Sequence, residues 1–399
     1  MIQNRITGQD FVFTGLQPWD ISIGSNAKDI ALEISKNNRV LYVNSPLVKW
    51  SAELRSNNIE LRNRIEVLNK RSSVIRQINP NLWVLDCPFT VLPVNKLPDG
   101  FLFDIANRLN NKKIFRYIAE IAQSMGFKNL IHFIDNDIYR SFYSDRFLHA
   151  DTTIYYLRDN LLAIDFWRRH ACRLEPQLIA KSDLVFCNSL YLAEKAKKYN
   201  SKTHYVGQGF DPLAYQKHNY PIPDDISSIP RPIVGYLGAI ISARLDPELV
   251  FSLAKENPAI SFVLVGGADD VFNNHPLMNL PNLFYLGSKP VDQVPDYINS
   301  FDICINPQLV NDLTIGNYPR KIDEYLAMGK PVIATKTDAM AVFKDHVYLC
   351  NNVQEYQNAM MTILQKGVKT GKEERIQFAN THTWEASVDR MYQLIRRYK

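Results

Sequence analysis

The stretch NYPRKIDEYLAMGKPVIAT, Asn317 to Thr335, sets Arg320 and Lys321 side by side with Glu324 one turn further on. Pro319 suits the first turn of a helix, where its missing N–H bonds nothing. Ile322, Tyr325, Leu326 and Met328 give that helix a buried side, and Gly329 followed by Pro331 ends it near residue 328. Two cations beside a helix N-terminus, which is itself electropositive, predict a phosphate-type anion site with Asn317 at its edge. In YLGAIISARLDPEL, Gly238 lets the backbone approach a ligand closely and Arg244 follows six residues later. Three carboxylates stand just past apolar runs, where parallel sheets place their chemistry: Asp159 in IYYLRDN, and Asp135 and Asp137 in HFIDND. His132, inside the second run, reads as a core histidine.

These residues must be carried by strands and helices in alternation. FVFTGL (11–16), RVLYVNSP (39–46), NLWVLDCP, KNLIHFID, TTIYYLR and DLVFCNS read as buried strands, with helices opening at Ser25, over 101–125 and over 190–199. The pattern restarts at RPIVGYLGAI and continues through SFVLVGG, NLFYLGS, DICINPQ and PVIATK, with helices near 246–256, 291–300, 319–328 and 353–366. Strands separated by helices indicate parallel βαβ units. The expected fold is therefore α/β, with two doubly wound Rossmann-like domains facing a central cleft. Residues 1–210 form the first, 211–230 (DPLAYQKHNYPIPDDISSIP) a linker and 231–380 the second. An amphipathic helix over 381–399 packs on its own domain or crosses back to the first. VGGADD (265–270) is Gly-rich after a strand but lacks the dinucleotide fingerprint, so no cofactor is expected.

Composition narrows the class. The 399 residues are 46% hydrophobic and 22% charged, ordinary for a globular protein, and no apolar run approaches the ~20 residues of a membrane span. The absence of a basic-then-apolar opening predicts a cytoplasmic protein. Five scattered cysteines without metal-type spacing predict reduced, mostly buried thiols. The net charge of +5 is uneven: residues 1–210 hold 28 Lys and Arg against 20 Asp and Glu, and the remainder 18 against 21. Six of those cations, Arg55, Arg62, Arg64, Lys70, Arg71 and Arg76, fall within residues 51–76 among Leu, Ile and Val. That segment reads either as a solvated face or as contact with an anionic membrane surface. Nucleic acid is not an expected partner, because no recognised binding motif accompanies the charge.

In order, SDLVFCNSLYLAEKA, VGQGFDP, IVGYLGAI, NLFYLGSKPVDQVPDYINSFDICINP and PRKIDEYLAMGKPVIAT resemble the GT-B glycosyltransferases, particularly the bacterial polysaccharide-assembly enzymes similar to family 4. The resemblance implies that Glu324 accepts hydrogen bonds from the ribose hydroxyls of a nucleotide-sugar and that Lys321, with Arg244, contacts its diphosphate. A carboxylate can take two O–H donors, and an ammonium is a movable point charge for phosphate oxygens. The loop QPWDISIGSN (17–26) would touch acceptor or phosphate. Gly24 and nearby amides suit an anion, Trp19 can stack on a sugar or anchor the loop, and Asp20 can be a turn residue. Many retaining members carry a second glutamate eight positions before the first, where this chain has Gly316. Either the amides of 314–317 hold the sugar or the reaction inverts, with Asp159 as base and Asp135 or Asp137 as alternatives. Asp135-Asn136-Asp137 also matches the metal-holding triplet of another glycosyltransferase fold, but the motifs of the second half oppose that fold, and no metal is expected.

The implied function is transfer of a sugar from a nucleotide diphosphate to a lipid-linked or oligosaccharide acceptor in cell-surface polysaccharide synthesis. The nucleotide-sugar is a substrate rather than a cofactor, and the enzyme is peripheral to the inner face of the cell membrane. A nucleotide-sugar epimerase of the same fold would need several acid–base groups around the sugar and no acceptor groove. A non-catalytic nucleotide-sugar-binding protein is the third reading, kept open by Gly316.

Overall fold

The computed structural model describes residues 5–21, 24–217 and 219–398. Residues 1–4, Ser22 and Ile23 of the first loop, His218 and Lys399 lie outside the described residues. Chain contacts gather into two compact units, one running to Gly207 and resuming at Trp384, the other spanning Gln208–Thr383.

In the first unit Phe11, Phe13, Val40, Tyr42, Phe133 and Tyr156 pack on one face of a sheet, while Val12, Leu41, Ile134 and Tyr155 pack on the other. Both faces are buried, which is why these strands read as continuous apolar runs. The strands are β1 (Asp10–Gly15), β2 (Arg39–Val43), β3 (Ile75–Asn79), β4 (Leu82–Leu85), β5 (Leu130–Asp135), β6 (Thr152–Leu157), β7 (Leu184–Cys187) and β8 (Thr203–Tyr205). Their spatial order is β3-β4-β2-β1-β5-β6-β7-β8, parallel except for β3 against β4. The order reverses between β1 and β5, the place where such sheets leave a crevice at their carboxyl ends. The helices are α1 (Asn26–Ser35), α2 (Arg62–Leu68), α3 (Phe101–Ser124), α4 (Asp165–Lys181) and α5 (Leu190–Lys197). Ser25 caps α1 by accepting from the Lys28 amide.

The second unit is an all-parallel sheet of β9 (Ile233–Leu237), β10 (Ser261–Val265), β11 (Leu283–Gly287), β12 (Ile303–Asn306), β13 (Val332–Thr335) and β14 (Tyr348–Cys350). The order is β11-β10-β9-β12-β13-β14, reversing between β9 and β12. Residues 211–230, expected as a linker, are packed onto this unit. Ile226 and Ile229 are buried in its core, and Asp225 accepts from Tyr297 (2.8 Å) and pairs with Lys289 (2.5 Å). Ile226 and Ile229, three residues apart, with Tyr215 and Tyr220 packed against the same core, bring this proline-rich segment down onto the sheet.

The basic stretch 51–76 is not one solvent-facing set. It forms short 3-10 turns, then α2 and β3, and it divides its cations. Arg64 is buried and donates to the Ser45 carbonyl (3.3 Å), and Arg76 pairs with Asp20 (2.8 Å) and Asp86 (3.4 Å). Arg55, Arg62, Lys70 and Arg71 remain exposed, Arg62 paired with Glu66. Among the described residues no helix is long and apolar enough to cross a membrane. Four of the cysteines are buried and Cys172 is exposed.

The last helix, Trp384–Tyr398, buries Val388, Met391, Tyr392 and Ile395 in the same core as Ile30 and Ile34 of α1. Asn38 donates to the Tyr392 hydroxyl (2.8 Å), and Ser387 and Arg390 donate to the Val206 carbonyl. In urea denaturation Tyr392→Phe should cost about 1 kcal/mol for the lost hydrogen bond, and Tyr392→Ala about 3–5 kcal/mol for the cavity. Equal costs would mean that this helix contributes no packing.

Candidate active site

At the carboxyl end of β9 the backbone turns through Gly238, whose φ of +140° favours glycine. A Cβ there would lie 2.8 Å from the Lys321 Nζ, so the glycine leaves space for that ammonium. Lys321 donates to the Tyr236 hydroxyl and sits 4.0 Å from the centroid of its ring. Burial pushes the Lys321 ammonium from its ordinary 10.5 down to about 7, with Glu324 acting in the opposite sense and the Arg244 charge adding to the depression. Neither Lys321 nor Arg244 has a carboxylate partner within ion-pair distance among the described residues. Arg244 is fixed through its backbone: Leu309 donates to its carbonyl, Asn311 donates to that of Ala243, and Ser242 donates to Asp269. Gly266 completes the arrangement, since a Cβ there would lie 1.9 Å from the Gly238 carbonyl oxygen.

The helix expected over 319–328 runs Lys321–Ala327, with Arg320 before it and Asp323 and Glu324 in its first turn. Carboxylates thus already occupy the positive end of its dipole, and the anion attraction comes from side-chain cations. Arg320, expected to add to that attraction, is 3.2 Å from Glu324. Glu324 also takes a hydrogen bond from Tyr215. Asp323 is buried and accepts from Tyr318 (2.8 Å), with His382 Nδ1 at 2.8 Å. Burial raises the Asp323 carboxyl, and the His382 hydrogen bond opposes that rise. This trio pins the helix carrying Lys321.

Upstream, the amides of Thr314, Ile315 and Asn317 are spent inside their own turn on the carbonyls of Asn311 and Thr314. For the amide of Gly316, the fourth of that run, no backbone hydrogen bond occurs among the described residues. Asn317 is half-buried beside it.

In the first unit the candidates separate. Asp135 is fully buried at the end of β5, accepts from Arg158 Nε (2.8 Å) and has its second oxygen unpartnered; burial raises its carboxyl. Asp137 is buried and accepts from the amides of Tyr139 (3.2 Å) and Arg140 (3.0 Å), a turn-forming role. Among the described residues no group of three or more His, Cys, Asp or Glu side chains is placed to hold a metal ion. Asp159, paired with Arg158, is 37% exposed and is the one of the three open to solvent. His132 is a core residue, held near Thr14 and pushed down to about 3 by burial. Trp19 is a loop anchor: its ring meets Tyr42 edge-on at 5.3 Å and is 7% exposed, leaving no face for a sugar. Asp20 accepts from Arg76 and Asn63. Gly24 is exposed just before the Ser25 cap.

Residues 236–366 match the family model described as glycosyl transferases group 1. Residues 236–366 are thus similar to a glycosyl transferase group 1 domain. Over 242 residues it is 29% identical to a protein named as a teichuronic acid biosynthesis glycosyltransferase, TuaH of Bacillus subtilis, covering 57% of this chain and 60% of that relative. The match thus spans about three-fifths of the relative's length. Sucrose-phosphate synthase from Thermosynechococcus elongatus superposes over 98% of both chains with a TM-score of 0.65 at 14% identity. Anabaena HepE in complex with UDP and glucose superposes over 96% of this chain and 98% of its own, TM-score 0.63 at 16% identity. The fold is GT-B, two parallel-sheet domains in one chain. Gly238, Arg244, Asn317, Arg320, Lys321 and Glu324 all fall inside the group 1 domain, and the first-unit candidates fall outside it.

The group 1 domain therefore presents two unneutralised cations beside a glycine turn. Sequence reasoning missed Tyr236, Tyr215 and the Tyr318–Asp323–His382 trio, whose roles depend on partners distant in the chain. Because Lys321 binds its proton more weakly folded than unfolded, its burial cost is fully present below about pH 7 and is relieved as pH rises toward 10.5. Lys321→Met should thus be more stable than the parent at about pH 6.5, on the order of a few kcal/mol, and the advantage should shrink by about pH 9.5. Urea titrations at the two pH values measure it, and a pH-independent difference would contradict the assignment.

Proposed function

We propose that the protein is a glycosyltransferase that moves a sugar from a nucleoside diphosphate donor to a lipid-linked or oligosaccharide acceptor in cell-surface polysaccharide synthesis. The observation that carries the proposal is the pair Arg244 and Lys321: two half-buried cations without carboxylate partners, inside a group 1 domain. Such a pair is matched to a diphosphate, and its stabilisation grows as negative charge develops on the departing group. Glu324 would give up part of its bonding to Arg320 and Tyr215 to accept from ribose hydroxyls. HepE, solved with UDP and glucose, and TuaH, named for teichuronic acid, support a nucleotide-sugar donor and a wall-polysaccharide acceptor. We place the protein in the cytoplasm, at the inner face of the cell membrane, with no cofactor.

Inversion with Asp159 as base is the mechanism we favour. Asp159 is the exposed carboxylate of the three, and Gly316 stands where retaining relatives place glutamate. Asp159 would take the acceptor hydroxyl proton as that oxygen attacks the anomeric carbon and the bond to the diphosphate breaks.

Incubation with a panel of nucleotide-sugars and a lipid-linked acceptor should release nucleoside diphosphate only when acceptor is present. A changed sugar without release would make the protein an epimerase. In calorimetry Lys321→Ala should weaken UDP at least tenfold more than uridine, whereas Glu324→Ala should weaken both alike. Equal losses in Lys321→Ala would remove the phosphate assignment. Asp159→Asn should lower kcat by about 10²–10⁴ with donor affinity within about twofold, and NMR should show an inverted anomer. Retention would exclude this mechanism.

A further inference from the structure

Helix α3 exposes what helices of globular proteins usually bury. Phe101, Leu102, Ile105 and Leu109 are 76%, 64%, 44% and 55% exposed, and at about 100° per residue they fall within one arc of about 100° on the helix. Single exposed apolar side chains are ordinary, but four in a little over two turns of one face form a patch. The same face then turns cationic: Arg108, Lys112 and Arg116 are exposed there, and among the described residues none of them has a carboxylate within ion-pair distance. The two acids of the helix do not cancel this charge. Asp104 is turned to Arg173 at 2.8 Å, and Glu120, four residues after Arg116, forms no ion pair with it among the described residues.

The patch extends onto neighbouring segments. The Phe103 ring stacks on His170 of α4 at 3.9 Å, and Phe166, one turn before His170, is 55% exposed. Leu92 is tied to Asn110 by two hydrogen bonds of 2.9 Å and is itself exposed. The opposite side of α3, through Phe103, Ile114, Phe115 and Ile118, is already committed to the core. The exposed apolar side chains are therefore not left over from folding.

We propose that this face of α3 docks on an anionic phospholipid bilayer, with Phe101, Leu102, Ile105 and Leu109 entering the interface and Arg108, Lys112 and Arg116 meeting the headgroups. Apolar side chains beside unpaired cations complement a surface that is apolar within and negative at its boundary. A protein partner buried on the apolar half would not need the cations, and a second copy would bring like charges together. The proposal rests on the membrane-peripheral reading above but not on the identity of the sugar, and it moves the contact from residues 51–76 to α3.

Full-length protein is sedimented with vesicles of equimolar phosphatidylcholine and phosphatidylglycerol, with phosphatidylcholine alone as reference. The parent should bind the mixed vesicles, weaken as salt is raised, and bind the neutral ones poorly. Phe101→Ser with Leu102→Ser should lower partitioning at least tenfold. Arg108→Gln, Lys112→Gln and Arg116→Gln together should lower it about a hundredfold, near fivefold for each cation. Arg55→Gln, Lys70→Gln and Arg71→Gln together should change it less than threefold. UDP binding measured on the same samples should be unaltered in every variant, which shows each to be folded. No binding by the parent, or an equal loss in the control triple, would overturn the proposal. Concentration-dependent dimerisation abolished by the two serines would instead assign the face to a second copy. Vesicle binding without UDP binding would leave this proposal standing and remove the donor assignment.

Discussion

The ammonium of Lys321, lodged between the Tyr236 hydroxyl and the backbone of Gly238 with Arg244 nearby and no carboxylate partner, is the interaction around which the second unit is arranged. Holding two like charges close together in a partly buried place is unfavourable, and it persists only where the surroundings fix both groups. Gly238 and Gly266 provide the space, since a side chain at either would collide with Lys321 or with the Gly238 carbonyl. The Tyr318–Asp323–His382 bonds pin the helix that presents Lys321, and Asp269 with Asn311 hold the loop that presents Arg244. An anion entering there would relieve a repulsion the fold maintains.

The first unit follows the opposite rule. At the carboxyl ends of its strands nearly every charge has a counterpart: Arg158 between Asp135 and Asp159, Arg76 between Asp20 and Asp86, Arg140 beside Asp137. Such sets position groups without creating a strong net field. Exposed cations of this unit lie on its outside, along α3 and at Arg55, Lys70 and Arg71. The asymmetry between the halves of the sequence is thus expressed as two arrangements, a neutralised crevice edge and a cationic, apolar helix face.

How much of this was legible depended on where the information lies. The strands β1, β2, β4 to β7, β9, β10, β12 and β13 announce themselves because burial on both faces demands unbroken apolar runs, and the edge strand β11 does so through its own short apolar run. The helix α1 does so through Ser25. The edge strand β3 hides in a basic stretch, β8 and β14 are three residues each, and α4 carries Pro176 in its interior, which reads as a break. Gly238, Arg244 and Lys321 were singled out from residue type, spacing and the family resemblance, and the structure brings them together at the carboxyl end of β9. Arg64 and Arg76 were misjudged for the converse reason: an arginine is interpreted by its partner, and Ser45 and Asp86 are not visible from the local sequence, just as the choice between sugar platform and loop anchor for Trp19 needed Tyr42. The spent amides of 314, 315 and 317 were equally hidden, since they follow from one Asn311-centred turn.

The central claim is that the depressed, unpaired ammonium of Lys321 receives a diphosphate. Calorimetric titration with UDP at about pH 8, in two buffers of different ionisation enthalpy, reads the protons taken up on binding. An ammonium titrating near 7 in the free protein is mostly neutral there, and a bound diphosphate would restore its charge, so uptake of about one proton should accompany binding and vanish in Lys321→Met. Tight UDP binding with no proton uptake in the parent would contradict the account.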